Sequence, residues 1–275
     1  MTILYENSTY LDLFVKSQFN TIFNHHLVDH TAIVKANGYN HGLCSVSHAF
    51  LQFNRLGVAR FEEALYLRQS GLAQEILIMN QIKCDHFEYI AQYSFSIVVY
   101  DIYFLKQLSD YSNLTKTHFN IWLKVDSGMH RLGVYRDDLS QIIELLKNSP
   151  FIHFACIMTH FSMADTLSDY TQQQFIYFLD CLTFLQESDC FPPMISFPNS
   201  AFILNMTDLL DVPTLHGFDK LLRQFPNTKL STRMGLSLYG YSPTSAFQFP
   251  SHMEQAIFWK TFVIQVKNGL GFIPV

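Results

Sequence analysis

Short apolar or β-branched runs recur along the chain, and most are followed by a segment whose apolar residues return every three or four positions. The runs predict strands beginning near Thr31, Gly57, Glu75, Ser96, Phe119, Ile152, Met194 and Leu230. The segments between them predict helices. Phe61–Gln69 (FEEALYLRQ) runs up to Gly71, a residue type suited to closing a helix. Asp137 and Asp138 are placed to cap Leu139–Lys147, where Leu139, Ile142, Ile143, Leu145 and Leu146 form an apolar stripe. The longest helix candidate is 170–187, with Phe175, Phe178, Leu179, Leu182 and Leu185 on one face. Strand–helix alternation predicts a parallel sheet covered by helices, hence an α/β fold. Eight strands suggest a closed (β/α)8 TIM-type barrel. An open doubly wound sheet is the alternative, but no Gly-x-Gly-x-x-Gly turn follows an early strand, which counts against a dinucleotide-binding version.

The chain has 275 residues, of which 49% are hydrophobic and 15% charged, enough apolar surface for a packed core and too little charge for a disordered chain. The formal charge is −5 and no basic block stands out, so a nucleic-acid partner is not expected. A small ligand or another protein remains. Cys44, Cys84, Cys156, Cys181 and Cys190 form no Cys-x-x-Cys pair and are read as reduced thiols in a cytoplasmic protein. No metal site is expected. Residues 1–11 lack the basic lead of a secretory signal, and the apolar stretch 95–105 is broken by Asp101 and too short for a bilayer. No membrane association is expected.

The polar residues Lys35, Asn80, Arg131, His160, Asn199, Ser200 and Arg233 fall at or just beyond the ends of predicted strands. In a closed barrel those positions converge on one mouth, where catalytic groups of this architecture sit. Lys35 ends an apolar run and opens a glycine-punctuated turn. Partial loss of solvation there would favour its neutral amine, a nucleophile toward carbonyls. Each residue alone has a plainer explanation: a solvated lysine, a half-buried tyrosine at 39, a satisfied histidine at 160.

Five segments taken together point further. The stretch 32–42 (AIVKANGYNHG) resembles the pyridoxal-phosphate lysine motif of alanine racemases, with Gly38 in its small-residue place and Asn40 where glycine is usual. Segment 123–134 (LKVDSGMHRLGV) resembles the family's lysine–x–aspartate–threonine–glycine–methionine–x–arginine–x–glycine run, with His130 in place of a frequent glycine. Segment 159–165 (THFSMAD) resembles the family's threonine–histidine–phenylalanine run. Segment 197–201 (FPNSA) resembles its phosphate-site segment, with Pro198 for alanine and Ser196 where histidine is usual. Segment 232–240 (TRMGLSLYG) resembles the arginine–x–glycine run that follows.

The resemblance implies pyridoxal 5'-phosphate as cofactor, held on Lys35 as a Schiff base, with Lys35 also acting as a base at the α-carbon. It implies that Tyr39, Asn199, Ser200, Gly235 and Leu236 serve the phosphate end, the last two through backbone N–H groups. Arg131 would meet the cofactor's phenolic oxygen and the substrate carboxylate. His160 would stand beside the ring and hydrogen-bond Arg233, which would face the ring nitrogen. Lys124 matches a lysine that is carbamylated in some members. The implied substrate is alanine and the implied reaction is interconversion of its L and D forms for cell-wall D-alanine supply, with a homodimer left open.

The resemblance also implies a domain division, with residues 1–245 as the cofactor-binding barrel and 246–275 as a truncated start of a C-terminal β domain that opens with the strand-like 262–267. No residue of 268–275 matches the family's second proton-handling tyrosine; Phe272 stands in a loosely similar context. A non-catalytic pyridoxal-phosphate-binding homeostasis protein is therefore the alternative. Compared with the family, 207–227 looks like an inserted surface loop with a short helix, marked by Pro213, Gly217 and Pro226.

Overall fold

The computed structural model describes residues 1–275 except 24, 26, 167, 210, 244–249, 252, 259–262, 264, 268, 269 and 273–275. Its strands are β1 (Val28–Ile33), β2 (Arg55–Val58), β3 (Glu75–Ile78), β4 (Ser96–Val99), β5 (Phe119–Lys124), β6 (Ile152–Met158), β7 (Met194–Ser196) and β8 (Lys229–Met234). They close in sequence order into one parallel barrel, β8 returning to β1 with Thr31 opposite Arg233. The expected (β/α)8 architecture is the one observed, and the open sheet is excluded by that last pairing.

The helices are α1 (Thr2–Phe23), a short turn α2 (Lys35–Tyr39), α3 (Leu43–Ala49), α4 (Phe61–Gln69), α5 (Phe87–Gln92), α6 (Ile102–Thr115), α7 (Leu139–Lys147), α8 (Asp169–Glu187), α9 (Ser200–Leu209) and α10 (Val212–Gln224). Asp101, read above only as a break in an apolar stretch, is the N-cap of α6, accepting from the Phe104 N–H at 2.6 Å. Asp138 does not cap α7 with its side chain. It accepts from the Tyr135 N–H at 2.8 Å and so closes the 3-10 turn Arg136–Asp138 that precedes the helix.

Two regions differ from the sequence expectation. The N-terminal 22-residue helix α1 was not foreseen. It buries Leu4, Leu11, Val15, Phe19 and Phe23 and is tied to the β1/β8 junction through Asp12, 2.9 Å from His30 Nε2, whose Nδ1 lies 2.8 Å from Thr232 Oγ1. The 207–227 segment holds the expected helix, but it is longer than a short helix in a loop. Most of it is α10, which starts on an Asp211 cap with Pro213 in its first turn and lies against the barrel wall. Buried Phe218 meets Phe23, Phe175 and Phe197 edge-on at 5.3 Å each. The prolines at 213 and 226 bracket a helix rather than break one.

Most apolar mass lies between the barrel and its helices, while a smaller group (Leu77, Val98, Trp122, Cys156, Met158, Met194) fills the interior. Below it, Arg55 is buried with Glu75 at 2.7 Å and Trp122 beneath its guanidinium at 4.7 Å. The lower barrel is thus plugged, and only the end where the strands finish is open to chemistry. Beyond the barrel, β9 (Gln265–Lys267) and β10 (Leu270–Phe272) form an antiparallel pair. Residues 262 and 264 of the strand-like 262–267 segment lie outside the described residues. Among the described residues, no helix is long and apolar enough to cross a membrane.

Candidate active site

A cavity of about 390 Å³ opens at the strand C-termini. Lys35 and Tyr39 reach it from β1, Asn80 from β3, Lys124 and Arg131 from β5, His160 from β6, Asn199 from β7, and Arg233 and Gly235 from β8. Ile33, Ala59, Met79 and Met158 supply its apolar wall. Every predicted site residue except Ser200 and Leu236 therefore lines one cavity. Ser200 stands directly behind Gly235, and Leu236 begins the 3-10 turn Leu236–Tyr239 that follows.

Lys35 and Tyr39 are aimed by an unusual piece of backbone. Ala36, Asn37, Gly38, Tyr39 and Asn40 all have positive φ, between 50° and 67°, so the chain makes a left-handed helical turn. For a residue with a Cβ this hand costs about 1–2 kcal/mol. Four of the five are not glycine, and the turn persists because its surroundings hold it. Asn37 Oδ1 accepts from the Leu43 N–H at 2.9 Å, and His41 Nδ1 lies 2.9 Å from the Tyr39 carbonyl oxygen. Glu63, from α4, accepts from the Asn37 N–H at 3.3 Å. A Cβ on Gly38 would lie 2.4 Å from a Val46 methyl, so the small residue at 38 is required for packing as well as for hand.

Arg131 is carried by a loop organised around one carboxylate. Asp126 accepts from the N–H groups of Gly128 and His130 at 3.0 Å and of Arg131 at 3.1 Å. Burial alone would raise its pKa, but the backbone N–H groups of His130, Gly128 and Met129 hold it below the ordinary value. His130 has a φ of +54°, which accounts physically for the glycine that the resemblance places there. Gly133 is stricter: a Cβ would fall 2.4 Å from Asp126 N.

Arg233 is buried on the cavity floor. Its Nη1 donates to Ser196 Oγ at 2.6 Å, and its Nη2 to the carbonyl oxygens of Thr159 at 2.5 Å and Phe197 at 3.3 Å. The expected hydrogen bond from His160 is absent among the described contacts; Ser196 and two carbonyls take the guanidinium instead. Sequence reading noted Ser196 only as a departure and did not single out Thr159. The signal for Ser196 was its place one strand over from the arginine.

Ser200 Oγ lies 3.1 Å from Gly235 N and 3.0 Å from Ser237 Oγ, gathering donors at the start of α9. Asn199 caps that helix, its Oδ1 accepting from the Phe202 N–H at 2.9 Å and its Nδ2 donating to the Phe161 carbonyl at 3.2 Å. Tyr39 closes this corner, since a Cβ on Gly235 would be 2.8 Å from its hydroxyl.

The electrostatics are those of a cationic, partly dry site. Burial, then Arg131, lowers the Lys35 pKa, with Glu63 opposing. Burial, then Arg131 and Arg233, brings Lys124 down to about 8. Burial and the surrounding cations push His160 down to about 3, so its imidazole is neutral at physiological pH. Burial lowers Arg233 to about 10, still charged at neutral pH, and raises Tyr39, keeping its hydroxyl protonated. Such a site suits an anionic ligand with a group reactive toward amines.

Comparison with known proteins agrees. The family model for the N-terminal domain of alanine racemase matches residues 15–243. The chain is 28% identical over 270 residues to the alanine racemase of Geobacillus kaustophilus, covering 89% of this chain and 64% of that protein. It is 39% identical over 156 residues to that of Pasteurella multocida, covering 54% and 42%. A solved alanine racemase of Bacillus anthracis with bound L-Ala-P superposes with a TM-score of 0.76 at 25% identity, over 93% of this chain and 60% of that one. The chain thus spans about three fifths of the length of these racemases where the match is longest.

Proposed function

The chain belongs to the alanine racemase N-terminal-domain family, and from that premise we propose that it binds pyridoxal phosphate at Lys35 and acts on the α-hydrogen of alanine. The observation that carries the reading is the convergence of Lys35, Arg233 and the Gly235 corner on one cavity. The donor set fits the cofactor. The cavity offers an amine of lowered pKa at Lys35. It also offers the Tyr39 hydroxyl and the bare backbone at Gly235, with the Ser200 hydroxyl directly behind, groups suited to a phosphate.

When bound, pyridoxal phosphate supplies an aldehyde that joins amino groups and a ring that acidifies the adjacent α-hydrogen. Lys35 would be the residue that bonds to it and moves that proton. Arg233 would offer the ring nitrogen a fixed positive charge. Its pKa leaves it charged, so it would donate a hydrogen bond without giving up a proton, which would restrain how much electron density the ring accepts. Arg131, at the rim, is placed for a carboxylate. His160 stays neutral and would stand beside the ring without adding charge. In this reading the protein works in the cytoplasm and contributes to D-alanine supply for the cell wall, with a homodimer left open.

A second reading is cofactor binding without racemisation. Interconversion needs a proton-handling group on each face of the α-carbon. Among the described cavity residues besides Lys35, His160 is held neutral, which leaves Lys124, lowered to about 8, and the protonated Tyr39 hydroxyl as candidates for the second face.

Titration with pyridoxal phosphate is expected to give a near-visible absorbance band that borohydride abolishes, leaving the label on the Lys35 peptide. A Lys35→Ala variant that keeps the band would overturn the proposal. Deuterium exchange at the α-carbon then separates the readings: exchange and interconversion from both enantiomers supports racemisation, exchange of one alone a one-base site, and exchange of neither the binding protein.

A further inference from the structure

Glu63 is a buried carboxylate that no cation pairs within ion-pair distance among the described residues. All three of its described hydrogen bonds come from backbone. Oε1 accepts from the Asn37 N–H at 3.3 Å, and Oε2 from the Ala59 and Arg60 N–H groups at 2.9 and 3.1 Å. Asn37 lies two residues beyond Lys35 in the left-handed turn, and Ala59 lies in the cavity wall. One side chain therefore binds the lysine-bearing turn to the end of β2 and also caps α4. Capping that helix needs no charge, because glutamine fills the same place in a capping box. Burying a carboxylate is costly, so the charge calls for its own explanation.

We propose that Glu63 is the positioning residue for Lys35, clamping the left-handed turn and acting as the counter-charge of its amine. The proposal deepens the reading above and rests on Lys35 being the reactive amine. The charges around Lys35 show why a counter-charge is needed. Arg131 from the β5 loop acts on it directly, and Lys124 from β5 and His160 from beyond β6 feel its charge. Tyr39 from its own turn and Arg233 from β8 share the cavity. Burial and then Arg131 lower the Lys35 pKa, and Glu63 from α4 opposes them by favouring the ammonium form.

Charge and scaffold roles predict shifts of opposite sign. If Glu63 supplies charge, Glu63→Gln destabilises the ammonium, and the Lys35 pKa falls. If it only holds the turn, the same substitution lets water reach Lys35, and the pKa rises toward the ordinary lysine value. The experiment is reductive methylation of the cofactor-free protein by formaldehyde and a borane reagent across pH, with peptide mass spectrometry at Lys35 and Lys124. In Glu63→Gln the Lys35 midpoint is expected to fall by roughly 0.5–1 unit, making the amine about 3- to 10-fold more reactive below that midpoint. Glu63→Asp, which restores the charge, is expected to return the midpoint toward wild type. Lys124, whose shift comes from burial and from Arg131, Arg233, Asp126 and Lys35, is expected to keep its profile.

An unchanged or raised Lys35 midpoint in Glu63→Gln overturns the proposal. If that variant does not fold, Glu63→Asp and Glu63→Ala are compared, and equal Lys35 midpoints overturn it. Because the readout is the amine itself, a wild-type protein that takes up no pyridoxal phosphate would sink the functional reading, whereas the Lys35 midpoint alone decides this one.

Discussion

Arg233 Nη1 donates to Ser196 Oγ at 2.6 Å, and the same hydroxyl donates to the Ser231 carbonyl oxygen at 2.7 Å. The serine thus relays between a buried guanidinium and the backbone of the next strand. Ser196→Ala would leave one arm of the guanidinium without an acceptor in a dry place. We expect a loss of about 1–3 kcal/mol in urea denaturation, the usual range for a stranded charged donor. A loss below a few tenths would mean that water replaces the hydroxyl.

The Tyr39 hydroxyl and Gly235 compete for one volume. Gly235→Ala places a methyl 2.8 Å from Tyr39 Oη, the far end of a movable side chain. The tyrosine should swing aside, weakening pyridoxal phosphate binding by roughly tenfold, about the worth of one or two lost hydrogen bonds. Tyr39→Phe removes the clashing oxygen, so adding Gly235→Ala to that variant should cost little more. Absorbance titration of the single and double variants checks this, and strictly additive losses would refute the shared volume.

Lys124 gives a pH signature with a definite sign. Its pKa in the folded protein, about 8, lies below the ordinary 10.5. Between those values the unfolded chain binds more protons, so stability rises with pH across that window, and below about 8 the buried ammonium is a constant cost. In carbonate-free buffer, Lys124→Met should stabilise the protein at pH 7 by about 1–3 kcal/mol, and the gain should vanish by about pH 10.5. A gain independent of pH would show that the effect is packing and not charge.

The loop that carries Arg131 depends on Asp126. Its folded pKa is lowered, so its stabilisation is present above the ordinary carboxylate range and is lost as pH falls through the lower, folded value. Asp126→Ala removes the acceptor of three N–H groups and should cost about 2–3 kcal/mol. Gly133→Ala should be at least as harmful, because its Cβ meets backbone and cannot be relieved by a rotamer change. By contrast, His130→Gly should raise stability by about 0.5–1 kcal/mol by relieving a left-handed histidine. Chemical denaturation of the three variants orders them.

Strands were legible because each is a short apolar run bounded by polar turns, and Phe61–Gln69 and Leu139–Lys147 coincide with observed helices. The cavity was legible because barrel topology sends strand ends to one mouth. Most of what was hidden depended on contacts distant in sequence. Helix α1 was overlooked although Leu11, Val15, Phe19 and Phe23 recur every four residues, and in 207–227 the short helix was expected but its length and its packing through Phe218 were not. Glu63 lies inside an ordinary amphipathic helix, and nothing local marks it as reaching Asn37. The hand of residues 36–40 was invisible for the same reason, although Asn37, Gly38 and Asn40 are residue types that tolerate it.

That reversed turn has a consequence for how the protein comes into being. A segment coiled against the natural hand of its own residues has no local nucleus from which to form. It waits for the neighbouring strand end and helix to arrive before it can wind. The placement of Lys35 therefore depends on tertiary contacts, and a chain lacking them would carry at position 35 only a common, hydrated lysine.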